Sequence, residues 1–208
     1  MSTQAPAMTL ADALVPAFGT ERAGTALRAV ALVVGGAALT ALAAQLAWQS
    51  PWTTVPYTGQ TAAVLLVGTV LGSRLGLISM GLYLLAGAAG LGVFSGGSSG
   101  LFDATGALSA SAGYLLGFVV AGALVGRLAE QGWDRSVIRA AGLMTAGNLV
   151  IYAIGVPVLA WTLGMSAGDA IFYGAIVFVP WDAIKITVAA GLLPLAWRTI
   201  GSAGGTHR

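Results

Sequence analysis

Long uncharged stretches separated by short polar segments make up most of the chain. No Asp, Glu, Lys or Arg lies between Arg28 and Arg74, and the middle of this stretch, residues 48–59, is polar and contains Pro51 and Pro56. A bilayer core about 30 Å thick needs roughly 20 apolar residues per helix. The stretch therefore predicts two membrane-spanning helices joined by a turn.

The same pattern continues along the chain and predicts six helices. The predicted spans are residues 29–47, 60–73, 75–94, 107–126, 140–163 and 171–197. The second span is short, but without it Arg74 would lie on the opposite side from the other arginines. We therefore predict an all-α membrane protein with one six-helix domain over residues 29–197. Residues 1–28 form a cytoplasmic N-terminal segment and residues 198–208 a cytoplasmic tail.

The composition agrees with a membrane protein and excludes several other classes. Hydrophobic residues make up 57% of the chain and charged residues 8%, whereas soluble domains carry about 25% charged residues. The net charge of +2 is too small to indicate nucleic-acid binding, and the absence of Cys excludes disulfides and thiolate metal sites. Residues 1–21 lack the basic and apolar regions of a secretory signal, so we expect no cleaved signal peptide.

The six predicted spans put all the arginines on one side of the membrane. They are Arg22, Arg28, Arg74, Arg127, Arg135, Arg139, Arg198 and Arg208. The other side holds only Asp103 and Asp169 among charged residues. Basic loops remain in the cytoplasm, so both termini are predicted to be cytoplasmic.

Two ionisable residues lie within the sixth predicted span. Lys185 is the only lysine of the chain, and Asp182 precedes it by three residues, which puts both on one helix face. An unpaired charge near mid-membrane costs several kcal/mol. The two residues either form a structural salt bridge that locks the bundle or line a cavity for a polar ligand. Pro180 is expected to bend this helix.

Other polar groups suggest a site on the outer side. Asn148 and Tyr152 are four residues apart, so both can face the interior of the fifth span, where Asn148 either ties two helices together or contacts a ligand. The turn at residues 55–61 and the Gly- and Ser-rich loop at 93–100 are either plain connectors or a lid over a pocket.

Small residues recur at four-residue spacing, which lets helix backbones approach closely. The series are Gly68, Gly72 and Gly76; Gly113 and Gly117; and Gly122 and Gly126. We interpret them as internal packing positions. A similar face at Ala37 and Ala41 on the first span either packs inside the bundle or docks a partner protein.

The sequence lacks the residues of common catalytic sites. The single lysine follows Ile184, so there is no phosphate-binding Gly-Lys-Ser/Thr motif, and His207, the only histidine, lies in the tail. No Ser/His/Asp arrangement can be assembled. We therefore expect a protein that is not an enzyme and has no metal or cofactor. If it transports a solute, the energy must come from an ion gradient or a partner ATPase.

A collinear set of motifs over residues 28–197 resembles the BioY family, the biotin-binding S components of energy-coupling factor (ECF) vitamin transporters. The motifs are Val55-Pro56-Tyr57-Thr58-Gly59-Gln60-Thr61, Tyr83-Leu84-Leu85-Ala86-Gly87, Gly90-Leu91-Gly92-Val93-Phe94, Gly113-Tyr114-Leu115-Leu116-Gly117-Phe118, Ile151-Tyr152 and Asp182 with Lys185. One motif departs from the family pattern, since Ser109-Ala110-Ser111-Ala112-Gly113 stands where Pro-Thr-Gly-Gly is common.

The resemblance implies a six-helix S-component bundle in the plasma membrane of a prokaryote that binds biotin from outside. Its expected partners are a transmembrane coupling protein and two cytoplasmic ATPases, on which it reorients to release the vitamin inward. The expected substrate-binding residues are Asp182, Lys185, Asn148, Tyr152, Phe94, Tyr83, Gln60, Thr58 and Gly97. Asp182 would accept the ureido N–H groups and Lys185 would donate to the ureido oxygen, with the valerate toward the outer loops; the reversed pose would pair Lys185 with the carboxylate.

Two other interpretations remain at this point. One is a proton-coupled secondary transporter of a small solute in which Asp182 titrates, although the first half of the chain holds no second intramembrane carboxylate. The other is a structural membrane subunit that binds no ligand.

Overall fold

The computed structural model describes residues 8–15, 22–103 and 106–203, and these are mostly helical. The α-helices are α1 (Leu10–Leu14), α2 (Arg22–Gln45), α3 (Gln60–Ala88), α4 (Ala112–Glu130), α5 (Val137–Leu163), α6 (Ala167–Gly174) and α7 (Val179–Ala203). A two-residue antiparallel pair joins β1 (Ala47–Trp48) to β2 (Tyr57–Thr58), and three short 3₁₀ turns cover Ser95–Gly97, Trp133–Arg135 and Ile176–Phe178. Within the described residues, five helical stretches are long and apolar enough to cross a membrane: Arg22–Gln45, Gln60–Ala88, Ala112–Glu130, Val137–Leu163 and Ala167–Ile200.

Helix α3 contains both the second and the third predicted span. Gly72 has φ 83° and ψ 175°, which interrupts the helix. A Cβ placed on Gly76 would lie 3.0 Å from the Cα of Gly68, although residues eight apart in a straight helix are separated by about 12 Å. The chain therefore reverses at Gly72, and residues 60–71 and 73–88 run antiparallel. The predicted reversal is present, but the third span ends at Ala88 instead of residue 94.

Glycine contacts hold this hairpin against α4. A Cβ on Gly68 would lie 2.5 Å from the carbonyl oxygen of Gly122, and a Cβ on Gly126 would lie 2.3 Å from the carbonyl carbon of Gly72. Such distances leave no space for a side chain, so the backbones themselves are in contact. The predicted packing role of these glycines is confirmed. Helix α4 itself begins at Ala112 and ends at Glu130, later than the predicted span of 107–126.

The small-residue face of α2 turns toward the bundle. Ala37 is 8% exposed, and Ala41 is partly buried against the core. The exposed face of the helix carries larger side chains such as Leu39 and Leu42. Of the two interpretations of Ala37 and Ala41, the structure supports internal packing.

The sixth predicted span is two helices instead of one bent helix. The helical pattern breaks at Ala175, where φ is −136° and ψ is −55°, and α7 begins at Val179. Pro180 is the second residue of α7, where its missing N–H is not needed for the helix. The expected interruption of this helix is therefore present, but it is a break at Ala175, before Pro180, instead of a bend at the proline. The break puts Asp182 in the first turn of α7, where a carboxylate is stabilised by the free N–H groups and the helix dipole.

Polar contacts tie the helices together at the end of the bundle that carries Gly72, which we call the arginine-rich end because Arg74, Arg127 and Arg135 lie there. Glu130 Oε1 accepts hydrogen bonds from Ser73 N and Ser73 Oγ, both at 2.7 Å, and so caps the second half of α3. Asp134 is fully buried, and its Oδ2 accepts a hydrogen bond of 2.6 Å from Trp197 Nε1. Burial raises the pKa of Asp134 although this hydrogen bond opposes the shift.

The short helix α1 packs across the same end. Thr9 and Asp12 form a capping box, and Leu10 and Ala11 are buried. Arg28 donates to the carbonyl oxygens of Val15 at 2.8 Å and Ala11 at 2.7 Å, and it pairs with Asp12 at 3.1 Å. Helical structure thus begins within the segment predicted as residues 1–28, and α7 continues past residue 197. The predicted domain boundaries stay predictions, and His207 and Arg208 lie outside the described residues.

Candidate functional site

A pocket lies at the opposite end of the bundle, where the turn before α3, the loop after α3 and the break before α7 converge. It encloses about 610 Å³ between protein atoms, including its mouth. Sixteen residues line it: Val55, Pro56, Thr58, Gln60, Thr61, Phe94, Ser95, Ser98, Ser111, Tyr114, Leu115, Phe118, Tyr152, Phe178, Asp182 and Lys185. Most of the wall is apolar, and one pair of opposite charges lies in it, as in sites for small organic molecules.

Asp182 and Lys185 form an ion pair on the wall of this pocket. Lys185 Nζ lies 3.2 Å from Asp182 Oδ1, and the side chains are 14% and 7% exposed for Lys185 and Asp182 respectively. Lys185 also donates to Thr61 Oγ1 at 2.7 Å, and the hydroxyl of Tyr152 donates to Asp182 Oδ2. The two charges are therefore paired with each other and also adjoin a cavity, which a purely structural salt bridge does not require.

The helix break that positions Asp182 is stabilised by side chains from other elements. A break inside the bilayer frees backbone carbonyl groups that need donors. Three hydroxyl groups supply them: Thr53 donates to the carbonyl of Tyr173 at 2.8 Å, Tyr57 to Val177 at 2.9 Å and Tyr114 to Gly174 at 2.8 Å. The turn before α3 thus helps to fix the start of α7 and, through it, Asp182.

The loop after α3 forms another wall through Phe94. The ring of Phe94 lies against Gly87, since a Cβ on Gly87 would be 2.1 Å from the ring. The ring of Tyr83 packs edge-on against Phe94 at 5.5 Å between centroids. The Tyr83 hydroxyl accepts a hydrogen bond from Gln60 Nε2 and donates to the carbonyl of Val93 at 3.0 Å. Tyr83 therefore supports the wall from behind.

The nine predicted site residues fall into two groups. Six line the pocket: Asp182, Lys185, Tyr152, Phe94, Gln60 and Thr58. The other three lie outside its lining, namely Tyr83, Asn148 and Gly97. Asn148 lines a separate small cavity behind Lys185. Gly97 belongs to the turn Ser95–Gly97 with φ 82°, a conformation that favours glycine, so it shapes the loop beside the pocket.

Several lining residues were absent from the predicted set. Thr61 follows Gln60 directly, and Tyr114 and Phe118 are four residues apart on α4, so both signals were present in the sequence. Phe178 lies in the segment between α6 and α7. Its position could be found only by knowing that the sixth span is broken.

Comparisons with known proteins agree with this architecture. The sequence profile of the BioY family matches residues 11–202. The chain is 38% identical over 143 residues to the biotin transporter BioY of Rhizobium etli, covering 65% of this chain and 74% of that protein. It is 39% identical over 155 residues to the biotin transporter BioY of Thermotoga maritima, covering 73% and 86%.

A solved structure shares the fold. The crystal structure of an S-component for biotin from an ECF-type ABC transporter superposes with a TM-score of 0.72 over 86% of this chain and 95% of the other, at 20% identity. The predicted fold class, an all-helical S-component bundle that crosses the membrane several times, is confirmed.

Proposed function

The chain belongs to the BioY family, and from that premise we propose that it captures biotin as the substrate-binding membrane subunit of an ECF-type transporter. The observation that carries the proposal is the buried Asp182–Lys185 pair on the wall of the pocket. Its acceptor and donor lie side by side, and biotin carries a ureido ring whose N–H and C=O groups are also adjacent. In this proposal Asp182 accepts from the ureido N–H groups and Lys185 donates to the ureido oxygen.

The surroundings of the pair favour this orientation over the reversed one. A valerate carboxylate bound to Lys185 would lie close to the carboxylate of Asp182, and two like charges at such a distance repel strongly. With the ureido ring at the pair, the valerate points toward the mouth, where the lining includes the hydroxyls of Ser95, Ser98 and Ser111. Phe94 and Phe178 would then pack against the apolar part of the ligand.

The charge distribution supports a direction of transport. The arginine-rich end would face the cytoplasm according to the positive-inside rule, which leaves the pocket open toward the outside of the plasma membrane of a prokaryotic cell.

Within the residues described, no group of His, Cys, Asp or Glu could hold a metal ion. We propose that the chain is not an enzyme and uses no cofactor, and that a transmembrane coupling protein and two cytoplasmic ATPases supply the energy.

Isothermal titration calorimetry of the detergent-purified chain tests the proposal. We expect biotin to bind with a Kd below about 1 µM, equivalent to about −8 kcal/mol, and thiamine and riboflavin to give no heat of binding. No binding of biotin at saturating concentrations would reject the function. Uptake by the chain alone that depends on a pH gradient would instead favour the proton-coupled transporter with Asp182 as its titrating group.

Replacing Gly87 tests the role of the Phe94 loop. In Gly87→Ala the added methyl group must displace the Phe94 ring from the pocket wall, so we expect the affinity for biotin to fall by about tenfold or more while the bundle still folds. Gly81→Ala is the matched control, because Gly81 lies in the same half of α3 with no atom within 4 Å of its Cβ position. Calorimetric titration of both variants gives the comparison. Equal affinities would show that the loop position does not matter for binding.

A further inference from the structure

A second, smaller cavity lies directly behind the ion pair. Its lining residues come from α3, α5 and α7 and include Thr61, Met144, Asn148 and Lys185. Thr61 and Lys185 also line the main pocket, so these two side chains form the partition between the two spaces. The smaller cavity leaves about 10 Å³ in which the centre of a water molecule can lie. One water molecule therefore fits in it.

Asn148 and Lys185 line this space, and both have hydrogen-bonding groups without a partner among the described residues. Asn148 is 6% exposed, and its buried Oδ1 accepts no hydrogen bond from the described residues. Such an orphaned acceptor costs about 1–3 kcal/mol unless a donor reaches it. Lys185 has three N–H donors, and its hydrogen bonds to Thr61 Oγ1 and Asp182 Oδ1 use two of them. One acceptor and one donor therefore belong to side chains that line the same cavity.

We propose that one ordered water molecule occupies this cavity and joins Asn148 to Lys185. The water accepts the third hydrogen bond of the ammonium group. It donates to the amide oxygen of Asn148, which a turn of the amide group brings to the cavity, since Oδ1 has almost no accessible surface in the structure. The hydroxyl of Thr61, which accepts from Lys185, keeps its own proton free to donate to the water or to a ligand. The water thus has the two to four polar partners that buried waters usually have.

This assignment gives Asn148 a different role from a ligand contact. It is a positioning residue that acts through the water on Lys185, because it lies outside the lining of the main pocket. The water holds the ammonium from behind while Asp182 and Thr61 hold it from the sides. The functional consequence rests on the proposed function. While the water holds one N–H of the ammonium, the N–H that bonds Asp182 in the ligand-free protein turns to the ureido oxygen, and Asp182 accepts from the ureido N–H groups instead.

Two substitutions at Asn148 distinguish a role in binding the water from a role in packing alone. Leu has the branched shape of Asn without its polar atoms, so Asn148→Leu excludes the water and leaves the ammonium N–H without a partner. Asn148→Ala makes room for a further water in place of the amide. We expect the melting temperature of the ligand-free protein to fall by about 3–8 °C for Asn148→Leu and by less for Asn148→Ala. A side chain that only packs would give the opposite order.

A double-mutant cycle with Lys185→Met completes the test. In the Lys185→Met background, Asn148→Leu should no longer lower the melting temperature, because the donor that needs the water is gone. An equal loss in both backgrounds, or a larger loss for Asn148→Ala than for Asn148→Leu, would overturn the inference. These measurements need no ligand, so they remain decisive if biotin fails to bind and the proposed function is rejected.

If biotin binds, the same variants give a second readout. Asn148→Leu should weaken binding by about tenfold, and Asn148→Ala by about threefold or less, when both are titrated by calorimetry. The same order as in the melting temperatures supports the water-mediated role. If both variants bound biotin as tightly as the unaltered chain, the positioning role of Asn148 would be overturned, while the proposed function would stand.

Discussion

Asp182→Asn is expected to weaken biotin binding by at least about 100-fold, which corresponds to about 2.7 kcal/mol. The substitution keeps the shape of the side chain but removes the charge that strengthens hydrogen bonds from the ureido N–H groups, and hydrogen bonds to charged groups contribute about 1.5–3 kcal/mol each. It also leaves Lys185, whose side chain is 14% exposed, without its ion-pair partner. Calorimetric titration of the purified variant measures the loss.

A control for this substitution comes from the same end of the bundle. Asp169 lies in the first turn of α6, is exposed and contacts Ser166 at 2.7 Å. Asp169→Asn makes the same chemical change at a residue outside the pocket lining, so the affinity of this variant for biotin should match that of the unaltered protein. Equal affinities of Asp182→Asn and Asp169→Asn for biotin would show that Asp182 does not contribute to binding.

The double variant Asp182→Asn with Lys185→Met distinguishes ligand binding from a structural lock. Replacing both members of a buried ion pair by neutral groups often leaves stability unchanged or increases it. We therefore expect a folded protein with a similar melting temperature and no measurable biotin binding. A lock with no ligand role predicts a marked loss of stability instead.

Gly126→Ala is expected to destabilise the bundle by about 3 kcal/mol or more. The new Cβ would lie 2.3 Å from the carbonyl carbon of Gly72 and 2.4 Å from Ser73 N. These are backbone atoms at the reversal of α3, so no side-chain rotation can relieve the overlap. Since 1 kcal/mol shifts the melting temperature of a chain of this size by about 2–4 °C, thermal unfolding in detergent should show a fall of at least about 6 °C.

Gly191→Ala is the matched control for this packing contact. Gly191 lies within α7 and has no atom within 4 Å of its Cβ position. Alanine has the higher helix propensity, so this variant should melt at or slightly above the temperature of the unaltered protein. Equal melting temperatures for Gly126→Ala and Gly191→Ala would contradict the close backbone contact between α4 and the reversal of α3.

Much of the fold could be predicted from the lengths of the apolar stretches and from the positions of the arginines. The thickness of the bilayer sets the first, and the retention of basic loops in the cytoplasm sets the second. The reversal inside α3 was placed correctly near Arg74, although it is made by a single glycine at Gly72. The break before α7 was not found. The carbonyl groups at this break accept hydrogen bonds from hydroxyl groups of distant elements, including Tyr57 and Tyr114. A local sequence pattern does not indicate such contacts.

Part of the candidate site could also be predicted from the sequence, namely the part that depends on local helix geometry. The spacing of Asp182 and Lys185 on one helix face is a local property, and the structure brings both to the pocket. Asn148 and Tyr152 also share a face, but they are four residues apart, which separates them by about 6 Å along the helix. That difference puts Tyr152 at the pocket and Asn148 at the cavity behind it. Helical periodicity gives the direction of a side chain and not its depth relative to a cavity.

A structure of the biotin complex, by crystallography or electron microscopy, tests most directly whether the buried charge pair is kept for a ligand. We predict density for biotin in the pocket, with its ureido nitrogen and oxygen atoms within about 3 Å of the Asp182 carboxylate and the Lys185 ammonium. An empty pocket at saturating biotin, with the two side chains contacting only protein, would contradict a binding role for the pair.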